Sequence, residues 1–128
     1  MNLKTCLLIT DDPDDHQVFS EALAEIIPDT IVIAILNAES AWRLLSERKH
    51  VPDYIFVDLT TYGIDATAFL NALKTDPVLK NITTVVYGDE PLGKDRQDGF
   101  HFFSKDYDYN ELRGFLKRTL RPPASFPS

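Results

Sequence analysis

Acidic side chains follow two of the most apolar stretches of the chain, and a lysine follows a third. Asp11 and Asp12 come directly after the run CLLIT. Asp58 lies near the end of YIFVDL, and Lys105 ends HFFSK. Carboxylates that lie close together repel one another, and a hard cation such as Mg²⁺ relieves that repulsion. An aspartate beside Mg²⁺ and a lysine can attack phosphorus, because both cations neutralise phosphoryl oxygens.

These residues act together only if the fold brings them to one place, and the sequence predicts a fold that does so. Between the apolar runs, other apolar residues recur at helical spacing, and this alternation is typical of a parallel sheet covered by helices on both faces. In such sheets ligands bind beyond the carboxyl ends of the strands. Five runs predict strands, in the order CLLIT, IVIAIL, YIFVDL, TTVVY and HFFSK.

Helix boundaries can also be predicted from the sequence. Asp12 is a suitable N-cap for a first helix that begins at Pro13. A third helix is expected to end before Pro77, and Asp108 with Glu111 has the spacing of a capping box for the last one. The interval Gly88–Gly99 should hold a helix between strands four and five, yet its only large apolar residue is Leu92. We expect that helix to be reduced or absent.

Composition limits the kinds of partner. The 128 residues form one domain, predicted over residues 1–120 and followed by a proline-rich tail, 121–128. The formal net charge of −7 argues against nucleic acid or anionic lipid as the main partner. Cys6 is the only cysteine and is expected in the core, and no apolar run is long enough to span a bilayer. A cytoplasmic protein is expected.

Three segments together resemble a known family. CLLITDDPDDHQVF, PDYIFVDLTTYGID and FFSKDYDYNEL are similar to the three motifs of the response-regulator receiver domain, in the right order and on the right elements. The resemblance covers about residues 4–118. It implies a flavodoxin-like, doubly wound sheet of five parallel strands in the order 2-1-3-4-5, and a module that works with a histidine kinase or a phosphotransfer protein.

The resemblance also implies roles for individual residues. Asp58 matches the phosphoacceptor, and Lys105 matches the lysine that pairs with it. Asp11 matches a direct metal ligand, and the backbone carbonyl of Thr60 matches another, so Mg²⁺ is the implied cofactor. Phe102 stands where the family often has a switching aromatic residue.

Several positions depart from the family pattern. Thr10 stands where the first residue of an acidic pair is usual, and Asp12 is a further candidate to supply that charge. Gly88 replaces a serine or threonine whose hydroxyl normally contacts the phosphoryl group. We therefore expect a muted switch centred on Gly88–Gly99 and Phe102, with the final helix nearly still. Asp106 replaces a proline that is often preceded by a cis bond, and we expect a trans bond here.

Simpler explanations exist for some acidic residues. Asp12 is more readily explained as a helix cap than as a metal ligand. Asp14 and Asp15 favour the first turn of a helix electrostatically, so a solvated role is expected for both. Asp58 has no comparable structural explanation, because the tip of a strand does not need a carboxylate.

Three functions remain open on the sequence alone. The first is a receiver that accepts a phosphoryl group on Asp58 and signals through an output partner that the sequence does not name. The second is a degenerate receiver that binds proteins independently of phosphorylation, which Thr10 and Gly88 favour. The third is an aspartate-nucleophile phosphatase, which ranks last because Thr60 stands where such enzymes have a second aspartate. A non-enzymatic signalling role is therefore expected.

Overall fold

The described part of the chain contains five strands and four α-helices. The computed structural model describes residues 4–47, 51–58, 66–88, 101–104 and 108–120. The strands are β1 (Lys4–Ile9), β2 (Thr30–Ile35), β3 (Tyr54–Asp58), β4 (Thr83–Gly88) and β5 (His101–Ser104). The α-helices are α1 (Pro13–Ile26), α2 (Ala38–Ser46), α3 (Ala66–Thr75) and α4 (Tyr109–Thr119), with a 3-10 turn at Leu79–Asn81.

The strands form one parallel sheet in the order β2-β1-β3-β4-β5. This confirms the predicted flavodoxin-like arrangement and its strand order. The central strands β1, β3 and β4 are buried on both faces and are made of nearly continuous apolar residues, as a sheet covered by helices on both faces requires. Because all five strands run the same way, their carboxyl ends meet along one edge.

Alternate residues of each strand enter two separate apolar clusters. On one face the sheet packs against α1 and α4, and on the other against α2 and α3. The first cluster includes Cys6, Leu8, Phe19, Ala22, Leu23, Tyr54, Phe56, Val85, Tyr87, Leu112, Leu116 and Leu120. The second includes Leu7, Ile9, Ala41, Leu45, Ile55, Val57, Phe69, Leu70, Leu73, Leu79 and Val86. Cys6 is buried in the first cluster, as predicted.

The predicted helix signals are found where the sequence placed them. The Asp12 side chain accepts a hydrogen bond from the backbone N–H of Asp14, and Pro13 is the first residue of α1. Asp108 and Glu111 form both bonds of a capping box at the start of α4, at 2.8 and 2.9 Å. These caps satisfy backbone N–H groups that have no partner within the helix.

Polar contacts on the surface hold α4 against α1. One carboxylate oxygen of Glu25 lies 2.8 Å from Nε of Arg113, and the other accepts a 2.8 Å hydrogen bond from the hydroxyl of Tyr109. Beneath them, apolar residues of the two helices share the first cluster. The last helix is thus fixed to the first by both apolar and polar contacts.

Some expectations lie outside the described residues. These are the reduced helix within Gly88–Gly99, apart from Gly88 itself, the peptide bond before Asp106, and the tail 121–128. Within the described ranges, no helix combines the length and the apolar character needed to cross a membrane.

The capping box gives a first test. Replacing Asp108 with alanine removes the acceptor for the N–H of Glu111, and we expect the free energy of unfolding to fall by about 1 kcal/mol. Asp108→Asn is the matched control, because asparagine caps helices nearly as well and should cost much less. Urea denaturation measures both. Equal losses in the two variants would mean that the charge, and not the cap geometry, matters.

Candidate functional site: a buried carboxylate network

Strand register places Thr10 beside Asp58. Ile9, the last residue of β1, pairs with Val57, so the residue after each lies at the carboxyl edge of the sheet. The backbone N–H of Thr10 donates to the carbonyl of Ile35 at 3.0 Å, which holds Thr10 in line with β1. Asp58 ends β3 and is 0% exposed. The site thus lies at the ends of two central strands.

The pleat turns Thr10, Asp58 and Tyr87 to the face covered by α1. Side chains alternate along a strand, and residues two positions before each of these belong to the first apolar cluster. Tyr87 is also the register partner of Asp58. The ring of Phe19 on α1 lies 4.9 Å from the ring of Tyr87, centre to centre, which closes the cluster beside the site.

The hydroxyl of Thr10 binds the carboxylate of Asp58 directly. Thr10 Oγ1 donates to Asp58 Oδ2 at 2.7 Å, a typical length for a strong O–H···O bond. Thr10 Oγ1 in turn accepts a 3.1 Å hydrogen bond from the backbone N–H of Asp12. This second bond orients the hydroxyl, since it occupies a lone pair and leaves the proton for a carboxylate.

Asp15 is the second buried carboxylate of the site, and the expectation that it is solvated was wrong. Asp15 is only 6% exposed. Its Oδ2 lies 3.4 Å from Thr10 Oγ1 and accepts a 3.1 Å hydrogen bond from the hydroxyl of Tyr87. Asp15 precedes Phe19 by one helical turn, so it lies on the buried face of α1. Asp14, next to it, is exposed as expected.

The network is strongly electrostatic because two carboxylates approach one hydroxyl in the protein interior. Burial raises the pKa of Tyr87 far above its ordinary value, the carboxylates of Asp15 and Asp58 raise it further, and a hydrogen bond with Thr10 opposes these effects. Tyr87 therefore keeps its proton and acts as a donor. Donors at this position offset part of the cost of burying charge.

The fold is shared with solved response regulators and with a receiver domain. A phosphorylated cyanobacterial phytochrome response regulator, RcpA, matches 99% of this chain and all of its own, at 24% identity and a TM-score of 0.76. The receiver domain of a sensor histidine kinase from Pseudomonas aeruginosa PAO1, solved with magnesium coordinated in its active-site cleft, matches 94% of this chain and all of its own, at 19% identity and a TM-score of 0.72. The Mn²⁺-bound response regulator Rcp1 matches 98% of this chain and 99% of its own, at 21% identity and a TM-score of 0.74.

The chain has the receiver fold. At these identities the likeness concerns the fold alone, and no family model or curated sequence matches the chain. The receiver fold nevertheless agrees with the resemblance of the three sequence motifs.

The structure describes only some of the residues that the receiver motifs select. Asp58 is buried at the end of β3, whereas Asp11, just beyond the end of β1, is exposed. Gly88 is the buried last residue of β4 and pairs in register with Ser104. Thr60 and Lys105 lie outside the described residues. So does the side chain of Phe102, although its backbone pairs with Val86.

The oxygen atoms of the site are of the kind that a hard cation binds, but the described ones form only part of a coordination shell. Asp11 and Asp58 offer carboxylate oxygens, which Mg²⁺ prefers. Among the described residues, however, no three acidic, histidine or cysteine side chains are grouped so as to hold a metal ion. Asp12 is confirmed as the cap of α1, and its Oδ1 is engaged at 2.9 Å in that role. A complete shell would need further oxygen ligands.

Sequence reasoning missed three members of the network. It treated Thr10 as the loss of an acid and overlooked that its hydroxyl can donate to Asp58. It assigned Asp15 to solvent, although the spacing of Asp15 and Phe19 was visible. Tyr87 could be found only by combining strand order with register, because it is distant from both carboxylates in sequence.

Removing the hydroxyl of Tyr87 tests the buried network. Tyr87→Phe leaves Asp15 without one of its donors in the interior, so we expect the free energy of unfolding to fall by about 1–3 kcal/mol. Tyr109→Phe is the matched control, because it removes the same type of bond, to Glu25, at the surface, and should cost less. Urea denaturation of both variants measures the difference. A loss no larger for Tyr87→Phe than for Tyr109→Phe would contradict the assigned role.

Proposed function

We propose that this protein is a receiver module of a phosphorelay that takes a phosphoryl group onto Asp58. The observation that carries the proposal is the fully buried Asp58 carboxylate at the carboxyl end of β3, on a receiver fold. A charge in that position costs energy and contributes nothing to apolar packing. Its 2.7 Å bond from Thr10 supports the ionised form, which is the nucleophilic one.

The proposed chemistry is an in-line transfer to a carboxylate oxygen. A bond forms between an oxygen of Asp58 and phosphorus, while the bond from phosphorus to the donor breaks and its electron pair leaves with the donor group. Asp11, Asp58 and the carbonyl of Thr60 are the proposed ligands of Mg²⁺, which supplies positive charge to the phosphoryl oxygens when bound. Lys105 is the proposed second cation.

The donor and the output follow from the same proposal. A histidine kinase or a phosphotransfer protein would supply the phosphoryl group, and the signal would pass through contacts with an output partner. The role is that of a signalling domain with no reaction beyond its own phosphorylation and dephosphorylation. A cytoplasmic location fits the lone Cys6, and the net charge of −7 disfavours nucleic acid as the partner.

Two observations favour a second candidate, a degenerate receiver that binds proteins without being phosphorylated. The hydroxyl of Thr10 donates to Oδ2 of Asp58, whereas the acidic residue that the family has at this position would only accept hydrogen bonds. Gly88 has no hydroxyl to contact a phosphoryl group. In this alternative the buried network serves only to stabilise the sheet edge.

Acetyl phosphate distinguishes the two candidates. In the presence of Mg²⁺ we expect the intact mass to rise by one phosphoryl group, and Asp58→Asn to abolish the increase. Asp14→Asn is the matched control, since Asp14 is exposed on the first turn of α1 and should leave the reaction unchanged. If the mass of the wild-type protein stays unchanged at every concentration of acetyl phosphate and Mg²⁺ tried, the result would support the degenerate module.

Metal affinity tests the role of Thr10. Thr10→Asp adds a negative charge beside Asp58, and we expect it to tighten Mg²⁺ binding in an amide-shift titration. The new carboxylate would also face Asp15, so the metal-free variant should be less stable, and Asp15→Asn in the same chain should restore part of that stability. Weaker binding by Thr10→Asp than by wild type would contradict the assignment of this position.

A further inference from the structure

Thr10 has one hydroxyl proton and two carboxylates near it. Its Oγ1 lies 2.7 Å from Oδ2 of Asp58 and 3.4 Å from Oδ2 of Asp15. A hydroxyl is a single donor, and good O–H···O bonds are shorter than about 3.0 Å. In this structure the proton therefore belongs to the bond with Asp58. Asp15 lies within a small rotation or shift of becoming the acceptor instead.

We propose that Thr10, Asp15 and Tyr87 form a hydroxyl relay that reports the charge on Asp58 to α1 and β4. The relay rests on the proposed function, in which phosphoryl transfer removes the full negative charge from the carboxyl oxygens of Asp58 and leaves the charge on the phosphoryl oxygens. With the carboxylate ionised, Thr10 donates to Asp58. With the acyl phosphate formed, Thr10 donates to Asp15.

The reversal follows from the strengths of the two acceptors. Phosphoryl transfer joins one carboxylate oxygen of Asp58 to phosphorus, and the bond from phosphorus to the donor breaks. The carboxyl oxygens of Asp58 then no longer share a full negative charge, so they become weaker acceptors than the carboxylate of Asp15. Since bound groups shift an equilibrium only through differential contacts, this difference is what the relay would use.

Tyr87 carries the change to β4. Its hydroxyl already donates to the Oδ2 of Asp15 at 3.1 Å. That oxygen can accept two donors, but a second short bond from Thr10 shares its negative charge, so the bond from Tyr87 becomes weaker. Tyr87 directly precedes Gly88, the position that lacks a side-chain hydroxyl. The relay therefore reaches the end of β4 through groups on β1 and α1, without any contact from residue 88.

The relay can be tested without phosphorylation. Asp58→Asn removes the negative charge and keeps the size of the side chain. We would label tyrosine at the ring carbon that bears the hydroxyl, follow its ¹³C signal by NMR, and assign Tyr87 among the five tyrosines with Tyr87→Phe. Asp58→Asn should move the Tyr87 signal, and in a Thr10→Val background the same substitution should move it less than half as far.

Two variants complete this cycle. Thr10→Ser keeps the hydroxyl and should retain the full displacement. Thr84→Val removes a different buried hydroxyl from β4, one that donates to the carbonyl of Ile82 at 3.1 Å, and should also retain it. An equal displacement with and without the Thr10→Val substitution would overturn the relay, because the Tyr87 signal would then be responding only to the field of Asp58. If Thr10→Val does not fold, Thr10→Ala takes its place.

Beryllofluoride with Mg²⁺ extends the test to the phosphorylated form. The Tyr87 signal should move in wild type and in Thr10→Ser and should lose most of its response in Thr10→Val, with binding confirmed by ¹⁹F NMR. Bound beryllofluoride with no response of Tyr87 in wild type would refute the relay and leave the proposed function intact. A positive Asp58→Asn cycle in a protein that acetyl phosphate does not modify would support the relay as a reporter of charge and refute the proposed function.

Discussion

The hydrogen bond from Thr10 to Asp58 is the interaction on which the site depends. A carboxylate at the end of a central strand is surrounded by apolar neighbours and needs donors close at hand. Parallel register supplies the first one, because β1 and β3 end side by side. The turn into α1 acts indirectly, because the N–H of Asp12 donates to the oxygen of Thr10 and so orients the hydroxyl toward Asp58. The charge of Asp58 is thus stabilised by the hydroxyl of Thr10, which the N–H of Asp12 holds in place.

Hydroxyl groups at this site occupy different positions from those implied by the family resemblance. Position 88, where a serine or threonine is usual, is glycine. Hydroxyls stand instead at Thr10 and Tyr87, and both contact Asp15. An acidic group is likewise absent from position 10 and present one turn into α1. The number of polar groups around Asp58 is therefore less altered than a comparison of motif positions alone suggests.

The sequence was sufficient for features that depend on local patterns. Apolar runs predicted the strands, and the family resemblance implied their order in the sheet. Asp12, Pro13 and the pair Asp108–Glu111 predicted helix starts that the structure confirms. Asp58 was selected because a carboxylate at a strand end has no packing role. The network around it could not be predicted in the same way. Its bonds join residues up to 72 positions apart, and their geometry depends on strand register and on the rotation of α1.

Reading Thr10 only as a missing acid shows a limit of motif comparison. A motif records which charge is absent but not which new bond the replacement can make. The hydroxyl of Thr10 is both a donor and an acceptor, whereas an ionised carboxylate only accepts. The substitution therefore changes the direction of the hydrogen bonds at Asp58 as well as the charge.

The packing of α4 against α1 has a consequence for synthesis on the ribosome. Leu112, Leu116 and Leu120 lie in the same apolar cluster as Phe19 and Leu23, so the first helix cannot be fully covered until the last one has emerged. An incomplete chain would expose this cluster to other nascent chains and to chaperones. Folding of this domain is thus expected to finish only after residue 120 has left the exit tunnel.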